Sequence, residues 1–358
     1  MVRLGLLMTT YNEESNIQRC LESIKPYLDY YCIGVDVKTT DNTKGKVLEV
    51  MGDVKGKTFD SPWNGFADAR NQCLSQADHD ACDFFIYLDA DHTLKVTDKS
   101  WLTKLSMDID SYTIPVVGGG MTHWLPWLIK ANSPYKWHCV LHEYISWNGE
   151  GEQKSGGILN DISITHHYDG GGRAKGKDLY VKDKEVFLEA FQSEKDPFLI
   201  QRYTFYLAQS CKDAGHKEDA IRYYKMRTAM GGWIEEVYES WLAIARLTND
   251  PDYYFKAIEC VPERADAHFH VLLLGKSLGN WKLLRKALEL YEQVESWNTV
   301  GLFMHPSHRW MVQDAAMMGY YELENMKRAT EIAQKLLENP EVPDADKVRI
   351  GNNLPWFK

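Results

Sequence analysis

The sequence predicts an α/β half, built on a mostly parallel sheet, followed by an all-α half of helical hairpins. Apolar runs without polar alternation recur early, at residues 4–8 ("LGLLM"), 31–37 ("YCIGVDV") and 84–88 ("FFIYL"). Strands buried on both faces read this way, and helical patterns separate these runs as parallel crossovers require. From about Lys177 the texture is helical nearly to the end. The domains are therefore expected at 1–176 and 177–358.

After the first strand, "NEESNIQRCLESI" spaces Ile17, Cys20, Leu21 and Ile24 as one helix face. The second strand ends near Asp36, a helix is expected over 66–76, and the "FFIYL" strand follows. Open α/β sheets collect ligands at the carboxyl ends of their strands. Asp36, Asp89 and Asp91 fall at such ends. Residues 111–167 turn β-rich, aromatic and glycine-containing, as in "YKWHCVLHEYISW" and "GGILNDISITHH", and suit one wall of a cleft.

The 358 residues suffice for two domains, and 44% hydrophobic with 26% charged residues is ordinary for a globular chain. A net charge of -10 argues against broad binding to nucleic-acid phosphates, which needs clustered Lys and Arg. One nucleotide remains compatible, because "RAKGK" (residues 173–177) is a local basic patch. Seven scattered cysteines without a CxxC pair suggest reduced thiols. No run approaches the roughly 18–20 apolar residues of a membrane span, and the N-terminal run is too short for a signal peptide. A cytoplasmic protein is expected.

Five clusters bear chemistry. In "YLDADH" two carboxylates, Asp89 and Asp91, follow an apolar strand with one residue between them. Like charges so close repel, so the pair is either solvated in a loop or holds a cation. Mg²⁺ and Mn²⁺ take one or two carboxylates together with substrate phosphates. "VDVKTTDNTKG" offers Asp36 and Asp41, either as turn caps or as acceptors for a base or ribose. "FADARN" sets Asp68, Arg70 and Asn71 in the first turns of a helix, where capping competes with anion binding. "VLHEYISW" sets His142 and Glu143 in a strand-like segment, where a Glu beside a cleft could take a proton. "THHYDGGGRAKGK" ends a strand in His166 and His167 and enters a glycine-rich loop. There Arg173, Lys175 or Lys177 could neutralise phosphate.

In the second half, "FYLAQSCKDAGHKEDAIRYY" has the helix, turn and helix of a tetratricopeptide unit. Leu207, Ala208, Gly215, Ala220 and Tyr224 stand near the unit's key positions, and two later stretches echo it with drifting spacing.

Taken in order, "TTYNEE", "VDVKTTDNT", "FADARN", "YLDAD", "VLHE" and "HHYDGGGR" resemble a family-two glycosyltransferase with a GT-A fold. The subgroup it follows carries a tetratricopeptide-like helical tail. The resemblance covers about residues 1–250. It implies that Thr10, Tyr11 and Glu13 with Asp36, Asp68 and Arg70 hold a nucleotide, expected to be uridine diphosphate. It implies Asp89 near the ribose, and Asp91 with His166 or His167 on Mn²⁺ or Mg²⁺. It further implies Glu143 as catalytic base beside His142, with Arg173 and Lys175 on the diphosphate. The expected reaction is inverting transfer from a nucleotide-diphosphate sugar to a glycan, protein or other small-molecule acceptor. The chain departs from the family in "DVKTTD" where "DxGSTD" is usual, and in Thr10 where proline is usual.

Two alternatives stand beside it. One is a helical-repeat module that binds peptide or protein beside a decayed transferase domain, which the intact carboxylates disfavour. The other is a sugar nucleotidyltransferase, whose glycine- and lysine-rich N-terminal signature "LLMTTYNEE" lacks.

Overall fold

The computed structural model describes residues 2–119, 121–169, 177–305 and 307–357. It divides into two compact units, Met1–Leu179 and Tyr180–Lys358.

The first unit opens as a parallel α/β arrangement: β1 (Leu4–Thr10), α1 (Ile17–Ile24), β2 (Tyr30–Asp36), α2 (Thr43–Met51), β3 (Gly56–Ser61), α3 (Phe66–Gln76) and β4 (Phe84–Tyr87). β5 (His92–Val96), β6 (Ser111–Gly118), β7 (Met121–Lys130), β8 (Tyr135–His138), β9 (Tyr144–Trp147), β10 (Ser155–Ile158) and β11 (Ile162–His166) follow. The main sheet runs β3-β2-β1-β4-β7-β6-β11-β5, with β10 pairing β6, while β8 and β9 form a separate hairpin. β3, β2, β1 and β4 are mutually parallel; β7 enters antiparallel to both β4 and β6.

The apolar runs explain the parallel block. Leu6, Met8, Phe84, Ile86 and Leu88 pack on one face, against the side of the sheet that α1 covers. Their neighbours Leu7, Phe85 and Tyr87 pack on the other. Successive strand residues point to opposite faces, so a strand buried on both sides has no polar register. Each fully buried side chain of this size contributes about 1.5–3 kcal/mol.

Three elements went unread in the sequence. α2 and β3 follow Asp36, where a turn was expected, and β5 follows the carboxylate pair. β5 is short, but "HTLKV" alternates: His92 and Leu94 are buried while Lys95 is exposed. A correction falls on "VLHEYISW". Its alternation reads as a strand, yet residues 139–143 form the connection between β8 and β9. Cys139 (φ 78) and His142 (φ 51) are left-handed there, which no strand accommodates.

From Lys177 on, the regular elements are helices: α4 (Lys177–Ser193), α5 (Pro197–Asp213), α6 (Lys217–Met230), α7 (Ile234–Thr248), α8 (Pro251–Cys260), α9 (Ala265–Ser277), α10 (Trp281–Tyr291), α11 (His308–Glu322), α12 (Met326–Glu338) and α13 (Asp344–Asn353). Four successive pairs, from α5–α6 to α11–α12, turn on a left-handed residue: Gly215, Asn249, Gly279 and Glu324. Asn280 and Asn325 then cap α10 and α12, accepting the N–H of Leu283 and Arg328. The recurring turn accounts for the repeat texture of the sequence. No helix among the described residues is long and apolar enough to cross a membrane. The seven cysteines are free, and all but Cys260 are buried.

Candidate active site

The carboxyl ends of β1, β2 and β4 lie side by side in the sheet, so Thr10, Asp36 and Asp89 share one edge. Thr10 is buried and donates its hydroxyl to Gly34 O at 3.2 Å. Tyr11, next in the chain, is exposed. Asp36 is buried and accepts the Lys38 N–H at 2.8 Å. The loops after β1 and β2 are laced together. Asn12 accepts the Thr40 N–H at 2.8 Å, and the Glu13 N–H donates to the Thr43 hydroxyl at 2.7 Å. Asp41 accepts from the Glu14 N–H at 3.0 Å and from the Thr43 hydroxyl. Burial works to raise the Asp41 carboxyl, but these hydrogen bonds outweigh it and hold the carboxyl below its ordinary value. Asn12, Asp41 and Thr43 thus tie the loops after β1 and β2 to each other.

Arg70 lies at the centre of the site. It projects from α3, is 3% exposed, and spans two carboxylates from distant segments. Its Nη2 donates to Asp89 at 2.8 and 3.1 Å, and its Nε donates to Glu143 at 3.1 Å. Trp137 and Trp127 stand 4.7 and 5.4 Å from its guanidinium carbon. Burial would lower the Arg70 pKa, but the charges of Asp89 and Glu143 prevail and raise it. The arginine expected to hold the nucleotide directly is therefore engaged on two sides within the protein. Asn71, beside it, clips α3 to β8 by exchanging two hydrogen bonds of 2.9 Å with the Trp137 backbone. That clip positions the β8–β9 connection, and Glu143 with it. His142, one residue earlier, is exposed. Asp68 accepts from Gln72 of its own helix at 2.6 Å and does not join the cluster.

The second carboxylate takes a different partner. Asp91 Oδ2 lies 3.1 Å from His166 Nε2. Burial would raise the Asp91 carboxyl; the hydrogen bond to His166 and the nearby imidazoles outweigh it and hold it below its ordinary value. β5 runs antiparallel to β11 in a register that sets His92 opposite His166. His167 belongs to the other side of that ladder, exposed, with Nε2 2.9 Å from the Thr93 hydroxyl. The pleat thus separates the two histidines that sequence could not, and His166 faces Asp91. His92 also enters this cluster: Asp91, His92 and His166 each offer a ligand atom within 4.8 Å of the others. Its signal was the alternating "HTLKV", which places His92 on the buried face. Burial pushes the His92 ring below its ordinary pKa against the pull of Asp89 and Asp91. Arg173 and Lys175 lie outside the described residues.

A buried arginine thus joins a strand-end carboxylate to a loop glutamate, beside a carboxylate–imidazole pair, at one edge of the sheet. Residues 6–123 match the model described as Glycosyl transferase family 2. No curated protein sequence matches the chain. Among solved structures it is similar to S. aureus TarS, 15% identical over 81% of this chain and 55% of TarS, with a TM-score of 0.35. It is also similar to TarS 1-349 in complex with UDP, 16% identical over 81% of this chain and 91% of that one (TM-score 0.34). A third likeness is a thermophilic TPR protein of Thermus thermophilus, TTC0263. It is 18% identical over 50% of this chain and 92% of its own (TM-score 0.29).

Proposed function

We propose that the protein is a metal-dependent, inverting glycosyltransferase that takes its sugar from a nucleoside-diphosphate sugar, with uridine the expected base. The observation that carries this reading is the division of labour between the two strand-end carboxylates. Asp91 turns to His166, and Asp89 turns to Arg70 and through it to Glu143.

Thr10, Tyr11, Glu13 and Asp36 line the sheet edge on which the base and ribose would lie, with Asp89 on the ribose side. Asp91 and His166 suit a divalent cation, because a carboxylate oxygen and an imidazole nitrogen 3.1 Å apart can both turn to one ion. A mixed oxygen and nitrogen pair fits Mn²⁺ better than the more strictly oxygen-bound Mg²⁺. When bound, the cation would supply counter-charge to the departing diphosphate. Arg173 and Lys175 are assigned to the same diphosphate. Glu143, as a carboxylate fixed by Arg70, would accept the acceptor's proton as its oxygen attacks the sugar carbon opposite the leaving group, which inverts that carbon. The helical unit is assigned to acceptor recognition, for a glycan, a protein or another small molecule.

The test is a panel of nucleotide sugars with and without Mn²⁺, scored by thermal shift and by slow donor hydrolysis. A response to UDP-sugars that needs Mn²⁺ supports the reading. Silence toward every donor would leave a binding module whose transferase domain is inert.

A further inference from the structure

The turn after β4 fixes the ring of His92. The His92 backbone N–H donates to Asp89 O at 3.0 Å, and the Asp89 N–H donates in return to His92 Nδ1 at 3.1 Å. The ring is 2% exposed, with His166 edge-on at 4.7 Å and Trp127 at 5.6 Å between centroids. A nitrogen that accepts an N–H has its lone pair free and carries no proton. An imidazolium has no such nitrogen, so the ring is neutral and its proton is on Nε2.

Proximity alone would count His92 with Asp91 and His166 as three ligands of one cation. The hydrogen bonding separates them. A protonated Nε2 has no lone pair for a metal. Moving the proton to Nδ1 would set two donors against each other at 3.1 Å. Ligating histidines show the opposite pattern, in which the second nitrogen donates to a carboxylate, carbonyl or water.

We propose that His92 is a positioning residue and not a cation ligand: a buried imidazole locked in its Nε2–H tautomer, whose Nδ1 fixes the turn that carries the strand-end carboxylates. Nε2 stands 4.0 Å from Asp89 Oδ2, beyond hydrogen-bond reach, so His92 holds Asp89 through Nδ1 and the backbone of the turn. Its role toward Asp91 and His166 rests on the reading of those two as the cation site; the tautomer does not.

Two measurements on the full chain decide the matter. With ¹⁵N-labelled histidine, long-range ¹H–¹⁵N spectra, assigned by comparison with His92→Gln, should show an unprotonated Nδ1 and a protonated Nε2 for His92. A protonated Nδ1 overturns the proposal. With Mn²⁺ alone and Mn²⁺ with UDP, electron spin-echo spectra should show an imidazole nitrogen coupling that His166→Gln abolishes and His92→Gln retains. Gln keeps an N–H donor, so His92→Gln should hold Mn²⁺ within about 3-fold of the parent chain, whereas loss of an ordering partner typically costs about 10–100-fold. Loss of the coupling in His92→Gln with retention in His166→Gln also overturns it. If the parent chain takes no Mn²⁺, the cation site of the proposed function fails, and the tautomer measurement still judges His92.

Discussion

Arg70 and Glu143, 73 residues apart in the chain, meet at 3.1 Å through Nε and Oε1, and the same guanidinium holds Asp89 through Nη2. One buried cation therefore sets the spacing between the expected base and the donor side of the site. Arg70→Met would leave Glu143, whose side chain is 14% exposed, beside an apolar replacement. Breaking a buried pair in this way costs about 3 kcal/mol or more. Denaturant melts should show that loss for Arg70→Met. In the Arg70→Met, Glu143→Gln double variant the two effects should fall short of additivity by about 0.5–3 kcal/mol. Strict additivity would mean that the residues do not act as a pair.

Glu143→Gln keeps the size of the side chain and removes its capacity to take a proton. Transfer should fall at least about 10²-fold while donor binding, read by thermal shift with UDP, stays near that of the parent chain. A variant that transfers sugar at close to the parent rate would take Glu143 out of the base role.

Asp91→Ala removes the carboxylate that His166 faces. Both transfer and slow donor hydrolysis should vanish, together with the extra thermal stabilisation that Mn²⁺ gives in the presence of UDP. Normal turnover at any Mn²⁺ concentration would end the assignment of Asp91 to the cation.

The helical unit carries its own pH response. His268 is fully buried, and burial pushes its ring down to about 4 against a hydrogen bond with Pro262 O. Between pH 6.5 and 4 the unfolded chain binds a proton there that the folded chain refuses, so stability falls as pH drops. The loss reaches about 2 kcal/mol by pH 5. Glu239 acts in the opposite sense, because burial raises its carboxyl to about 7 despite the Arg264 charge. Between its ordinary value and pH 7 the folded chain binds the extra proton, so its contribution weakens as pH rises. The His268→Leu variant should therefore show a smaller drop in Tm from pH 6.5 to 5 than the parent chain. An equal drop in both would show that His268 does not titrate on unfolding.

Much of this was legible in the chain. The double-sided burial of β1, β2 and β4 is written in apolar runs, since successive residues of such a strand pack into apolar clusters on opposite faces. The bounds of α3 could be read from its own pattern, and Gly215 announced the first helical turn. Sequence also brought out the carboxylates, because two acids after an apolar strand need a reason. It could not detect α2, β3 or β5, whose residues are too mixed to stand out locally, and it took the connection holding Glu143 for a strand.

Sequence by itself determined the composition of the site: which acids, histidines and arginine were on hand, and that strand ends would carry them. The tertiary structure decided the pairings. Whether Arg70 meets a ligand or two carboxylates depends on α3 and the β8–β9 connection being brought together by the Asn71 clip. Whether His166 or His167 faces Asp91 depends on the register of β5 against β11, since a shift of one residue turns every side chain to the other face. Such choices are made by long-range contacts, and local sequence carries no record of them.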